Sequence, residues 1–296
     1  TKSMLPAANS DSARNARSRR SSANQASPRD WRNSAEGRAG FGTGIASGSP
    51  HRPGPDWFSC SISRRSWGCR RCKGGQGAGQ RERRVASLRA VIALIDYGAG
   101  NLKSVHKALR HLGADVRLFA APEGLQEAQA MVLPGVGAFD DCLNALRQQG
   151  LLDACREFIR SARPFLGICV GYQALFERSH EFESRAAGLG VFAGSVVRFT
   201  HRPGLKVPQI GWNQVAFARP DCPLFRGLST GTYFYFVHSY YPLPTDDSIV
   251  AGRTEYGDTF ASVVWRDNVF ATQFHPEKSQ KAGLRLLQNF VEVARE

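Results

Sequence analysis

The segment Pro164-Phe-Leu-Gly-Ile-Cys-Val-Gly-Tyr-Gln173 joins a short apolar run directly to a Gly-X-Cys-X-Gly turn. Such a run reads as a strand buried on both faces, and the abrupt turn predicts a helix immediately after it. A strand feeding a helix in this way belongs to an α/β sheet, and the neighbouring segments repeat the pattern. Residues 89–96 are another continuous apolar run, followed by a turn at Tyr97-Gly-Ala-Gly-Asn101. Leu102, Val105, Leu109 and Leu112 then recur at helical spacing, with Gly113 as the stop. Residues 115–120 and 130–133 read as strands, and 139–163 as a long amphipathic stretch broken at Gln149-Gly150. The alternation predicts an open, mostly parallel sheet flanked by helices. Beyond residue 190 the texture changes. Residues 191–200, 207–218, 233–241, 248–253, 261–266 and 268–274 are strand-like and joined by Gly, Pro and Asp turns, which predicts added antiparallel strands. Residues 280–295 close the chain as a helix with Leu284, Leu287 and Val291 on one stripe.

This pattern leaves out the start of the chain. Residues 1–90 carry 18 Lys and Arg against 5 Asp and Glu, whereas residues 91–296 carry 21 against 20. The basic charge therefore belongs to the first segment, and reading the whole chain as a nucleic-acid binder would be an averaging error. Residues 1–88 are rich in Ser, Arg, Gly, Ala and Pro and cannot bury enough apolar surface to offset chain entropy. They are expected to be a disordered tail or a mis-extended reading frame, with the globular pattern starting abruptly at Ala90. The segment lacks the apolar centre of a signal peptide; its Arg-rich, acid-poor composition leaves a transit peptide as a less favoured reading. Cys69-Arg-Arg-Cys72, with Cys60 nearby and only His51 in the segment, lacks a convincing set of four zinc ligands, so no metal is expected. Cys142, Cys155, Cys169 and Cys222 show no framework spacing, which suits a reducing compartment and a cytoplasmic location. No apolar run reaches the length of a membrane span. Residues 90–296 are expected to form one α/β domain.

Three segments carry chemistry. Cys169 is placed where a strand meets a helix N-terminus, where free N–H groups and the helix dipole favour a thiolate. Gly167 and Gly171 permit a tight elbow, and the N–H of Val170 is then available to an oxyanion. In Thr272-Gln-Phe-His-Pro-Glu277, His275 and Glu277 share a face of an extended segment, so the carboxylate can orient an imidazole that takes and gives a proton. Leu133-Pro-Gly-Val-Gly137 ends a predicted strand, where α/β sheets gather ligands, and it can offer backbone N–H groups to a carbonyl oxygen. Each segment alone has a plainer explanation: a buried cysteine, a surface histidine, an ordinary loop. Their combination is a nucleophile, a base and an orienting acid.

With these residues in place, the chain resembles the triad-type (class I) glutamine amidotransferases, through Gly-Ile-Cys-Val-Gly-Tyr-Gln173 and His275-Pro-Glu277. Within them it is similar to the glutaminase subunit of imidazole glycerol phosphate synthase. That likeness is carried by Ile95-Asp-Tyr-Gly-Ala-Gly-Asn-Leu-Lys-Ser104, Val207-Pro-Gln-Ile-Gly-Trp-Asn213, Tyr233-Phe-Tyr-Phe-Val-His-Ser-Tyr-Tyr241 and Gln273-Phe-His-Pro-Glu-Lys-Ser279. It covers residues 90–296 and none of the tail. The resemblance implies a flavodoxin-like core and a Cys169–His275–Glu277 triad that releases ammonia from glutamine through a γ-glutamyl thioester. It implies an oxyanion hole at Gly135, Val136 and Val170, and glutamine held by Gly137, Gln173, His238, Ser239 and Tyr240. It also implies a heterodimer with a (β/α)8 cyclase subunit that receives the ammonia, with Asn101, Tyr235 and Lys278 at the interface or coupling the two sites. No cofactor or metal is implied. The family usually has His-Met where this chain has Gln209-Ile210, and often Leu and Met where it has Val170 and Tyr172. Tyr172 is therefore expected to reshape the pocket, and Gln209 to alter the partner contact. The alternatives are an amidotransferase subunit for anthranilate, aminodeoxychorismate or guanylate synthesis, and a catalytically silent binding module, whose mark would be a lost triad residue.

Overall fold

The apolar runs assemble as β1 (Val91–Ile95), β2 (Asp115–Phe119), β3 (Ala130–Gly135), β4 (Phe165–Cys169) and β12 (Val269–Thr272), which pair in parallel in the order β2-β1-β3-β4-β12. The structure, a computed structural model, describes residues 90–296; the tail and the Cys69/Cys72 pair lie outside the described residues. Every residue of β3, β4 and β12 is buried, which is why these segments read as unbroken apolar runs. The connecting helices are α1 (Leu102–His111), α2 (Phe139–Gln148) and α3 (Leu151–Arg160). Right-handed crossovers place α1, which leads leftward to β2, and α2–α3, which lead rightward to β4, on opposite faces. The break between α2 and α3 falls at Gly150, whose φ of +69° suits glycine at a helix end. A closing helix, α5 (Gln280–Val293), packs against α1.

Four antiparallel strands extend the same sheet beyond β12: β11 (Asp258–Arg266), β10 (Val250–Tyr256), β7 (Gln209–Phe217) and β8 (Thr232–His238). The nine-stranded sheet thus has a parallel, flavodoxin-like half and an antiparallel half. A second sheet of three strands holds β5 (Phe176–Ser179), β6 (Phe192–Arg198) and β9 (Tyr240–Pro244). Its core contact is aromatic: Phe199 packs against Tyr241 and Phe260, and Phe176 against Phe192 and Tyr172. Each such fully buried ring contributes about 1.5–3 kcal/mol.

Two local expectations change. Residues 233–241 are not one strand. The chain bends at Ser239, whose carbonyl accepts from Phe199 N–H, so β8 stays in the large sheet and β9 joins the small one. The helix after Cys169 is one turn, α4 (Val170–Gln173). Ala174 N–H closes it on the Val170 carbonyl, and the chain then leaves extended as β5 to pair with β6.

Candidate active site

The parallel strands β3, β4 and β12 are neighbours and end on the same side, so their C-terminal continuations converge. Cys169 ends β4 opposite Gly135 of β3 and has φ +56°, ψ −109°. That conformation is strained for a residue with a side chain and is held by its surroundings. The flanking glycines serve close approach and not φ. A Cβ on Gly171 would stand 1.9 Å from the Leu133 carbonyl oxygen, and one on Gly167 2.7 Å from the Gly171 oxygen. One on Gly135 would stand 2.5 Å from Gly171 N. Three glycines therefore let β3 and the turn after β4 touch backbone to backbone.

The chain leaving β12 passes beside this elbow and delivers His275 and Glu277. His275 Nδ1 lies 2.9 Å from Glu277 Oε1, with the imidazole side chain 2% and the carboxylate 0% exposed. The same Oε1 accepts from Asn101 Nδ2 at 3.1 Å. His275 Nε2 and Glu277 Oε2 are buried without a hydrogen-bond partner among the described residues. Burial acts most strongly on the imidazole and opposes its charge. The Cys169 thiolate and then Glu277 more than offset this, and His275 is held up at about 10.

Cys169 and His275 open on a cavity of about 350 Å³. Val136, Gly137 and Val170 line one side of it, and Gln173, His238, Ser239 and Tyr240 line the other. Gly135 does not line it and serves the backbone contact just described. The Tyr97 side chain is buried, and its hydroxyl has no hydrogen-bond partner among the described residues. His238 is buried, and desolvation depresses it to about 3, so it is neutral. Its Nδ1 donates to the Tyr240 carbonyl at 2.9 Å, and its Nε2 faces the Gln209 amide terminus at 2.9 Å. Gln209 is 2% exposed and braces the pocket wall from within. Its neighbour Ile210, on the other side of the pleat, is 64% exposed. The expected reshaping of the pocket by Tyr172 is corrected. Its ring is in the core and its hydroxyl donates to the Ala261 carbonyl at 3.1 Å.

Asn101 stands against Glu277, as described. Tyr235 is half-buried, and its backbone ties the site down: its carbonyl accepts from His275 N–H and its N–H donates to Ser279 Oγ, both at 2.9 Å. Lys278 is exposed. Glu181 is a pocket residue that sequence reasoning missed. It lies in an irregular stretch with no motif, its Oε2 accepts from Phe139 N–H at 2.8 Å, and burial pushes its carboxyl up.

The family description "Glutamine amidotransferase class-I" matches residues 93–294. The chain belongs to that family. This amidotransferase is 50% identical over 208 residues to imidazole glycerol phosphate synthase subunit HisH of Syntrophotalea carbinolica, covering 68% of this chain and 98% of that protein. It is 50% identical over 204 residues to the HisH subunit of Moorella thermoacetica, covering 69% and 95%. Among solved structures it is similar to PurLQS from Thermotoga maritima (TM-score 0.56, 17% identity, 69% of this chain and 99% of that one). It is also similar to the glutaminase domain of Trypanosoma brucei CTPS (TM-score 0.52, 14% identity, 69% and 93%). At those identities the structural likeness speaks for the fold alone. Among the described residues of the amidotransferase, no helix is long and apolar enough to cross a membrane, and no cluster of His, Cys, Asp and Glu could hold a metal ion.

Proposed function

We propose that this amidotransferase is the glutaminase subunit of an imidazole glycerol phosphate synthase, working in the cytoplasm as a heterodimer with a (β/α)8 cyclase subunit. The observation that carries the chemistry is the strained Cys169 sharing a pocket with a buried, hydrogen-bonded His275–Glu277 pair. Cys169 Sγ attacks the γ-carboxamide carbon of glutamine, and the oxygen takes the negative charge beside the Val170 and Val136 amides. Attack consumes the thiolate charge that does most to keep His275 protonated. The imidazolium becomes more acidic at the moment the departing nitrogen needs a proton, and ammonia leaves as the thioester forms. The neutral imidazole then activates water, which releases glutamate and returns the thiolate. Glu277 keeps Nδ1–H in place throughout. Among the described residues Glu181 is the one acidic side chain lining the pocket, and it offers its free oxygen to the substrate ammonium; Gln173 and the 238–240 segment hold the rest of the amino-acid end.

The HisH relatives support the acceptor reaction: ammonia passes to the cyclase, meets the ribulosyl phosphate intermediate, and yields imidazole glycerol phosphate and aminoimidazole carboxamide ribotide. Ile210, Trp212 and Tyr233 are large apolar residues exposed on β7 and β8, and with Lys278 they offer a docking face. On this reading the Val136 N–H becomes a full oxyanion donor when the partner binds. Glutaminase turnover is expected to be weak alone and to rise with the cyclase and its nucleotide ligand. Cys169→Ala in the complex should abolish glutamine-dependent synthesis and leave synthesis from added ammonia intact. Full turnover without the partner would end the gating idea, and loss of both syntheses would end the role assigned to Cys169.

A further inference from the structure

Near Cys169 stand two buried glutamines that the chemistry above does not use in full. Gln273 is 0% exposed and follows β12, with its backbone N–H fixed on the Ser262 carbonyl at 2.9 Å. Its Nε2 lies 3.7 Å from Cys169 Sγ, the length of an N–H···S hydrogen bond. Gln173 Nε2 lies 3.0 Å from the Tyr240 carbonyl oxygen and 3.3 Å from Gln273 Oε1.

The direction of this relay follows from chemistry. A backbone carbonyl can only accept, so the end of Gln173 that meets Tyr240 is its NH2 group. That group has a second hydrogen, and the end of Gln273 that meets it must be the acceptor, Oε1. Gln273 is thereby turned so that its own NH2 faces the sulfur. A backbone oxygen at the β8–β9 bend thus sets which atom is offered to the nucleophile.

We propose that Gln273 is a further catalytic residue, donating a hydrogen bond to the Cys169 thiolate, and that Gln173 holds it in the donating orientation. The inference rests on Cys169 being the glutaminase nucleophile. A hydrogen bond to an anion is stronger than one to a neutral sulfur. The donor therefore favours the thiolate before attack and again as the leaving group when water opens the thioester. The titratable groups around the sulfur are His275 after β12, Tyr97 after β1 and Cys142 of α2, with Glu181 and His238 across the pocket. Among the described residues only Gln273 offers it an amide from a side chain.

The test is alkylation of the full chain by iodoacetamide without substrate, read on the Cys169-containing peptide by mass spectrometry across pH. Gln273→Met keeps the side-chain length and removes the donor. Its alkylation rate should fall about tenfold at the acid end of the profile and converge on wild type at the alkaline end. Gln273→Glu, which replaces the donor by an acid of the same shape, should fall further. Thermal melts identify any variant that is misfolded, in which case the other decides. Equal loss at every pH, or no change in a folded variant, would overturn the inference while leaving Cys169 as nucleophile. If wild-type Cys169 itself shows no thiolate-like reactivity, it is the glutaminase reading that fails.

Discussion

Replacing Gly171 by alanine isolates what the elbow glycines do. The added Cβ would meet the Leu133 carbonyl oxygen at 1.9 Å, although real Cβ atoms essentially never come within 3.0 Å of a heavy atom. Both partners are backbone, one in a strand buried along its whole length, so no rotamer change relieves the contact. The turn must move away from β3 by about an ångström, and a shift of that size at a nucleophile costs roughly a hundredfold in rate. Overpacking of a rigid core costs about 3 kcal/mol at the upper end of the usual range. For a domain of this size that lowers Tm by about 6–12 °C. The control is Gly190→Ala, where nothing lies within 4 Å and φ is +66°. There the penalty is conformational only, about 1–2 kcal/mol, and turnover should be unchanged. The assays are differential scanning calorimetry of the chain and glutaminase turnover of the complex with the cyclase. A Gly171→Ala protein that melts with wild type and keeps its turnover would refute the close-approach argument.

The two buried histidines predict the pH dependence of stability. His238, held near 3, lends stability that is complete above about 6.5 and is lost as pH falls from there. His275, held up at about 10, lends stability that is complete below about 6.5 and is lost as pH rises toward 10. Urea denaturation should therefore show a maximum near neutral pH, with His238→Gln flattening the acid limb and Cys169→Ala, which removes the largest cause of the raised His275, the alkaline one; limbs unmoved by these variants would refute the assignment. Asn101→Ala removes a hydrogen bond to a buried carboxylate, worth about 1.5–3 kcal/mol. It should lower kcat of the complex about tenfold or more at unchanged KM. A change in KM alone would place Asn101 in binding and not in the support of Glu277.

The parallel half of the fold is readable because strands buried on both faces leave unbroken apolar runs, as β1, β3 and β4 do. The break at Gly150 is readable because a left-handed helix end selects glycine. The split between β8 and β9 is not. Tyr233–Tyr241 is uniformly strand-like, and the bend at Ser239 is imposed from outside, by Phe199 N–H on its carbonyl and by His238 on the next one. The single-turn α4 is hidden for the same reason. Nothing between Val170 and Phe176 stops a helix; the pairing of β5 with β6 does.

The site divides along a similar line. Cys169, His275 and Glu277 lie within short motifs whose local spacing points to the roles proposed for them. Asn101, Glu181, Gln209 and Gln273 act on partners 176, 42, 29 and 104 positions away, respectively. No local spacing encodes such pairings, so the sequence points Asn101 only toward the interface and Gln209 only toward the partner contact. The geometry joins both ideas to the site itself. Asn101 ends the turn after β1, Gln209 begins β7, and the residue after each leads away from the pocket it supports: Leu102 starts α1, and Ile210 is exposed on the face proposed for docking. A partner that presses on β7 therefore needs no separate wire to reach glutamine. It bears on a strand whose first residue braces His238, and His238 in turn braces the Tyr240 carbonyl that sets the glutamine relay to the sulfur.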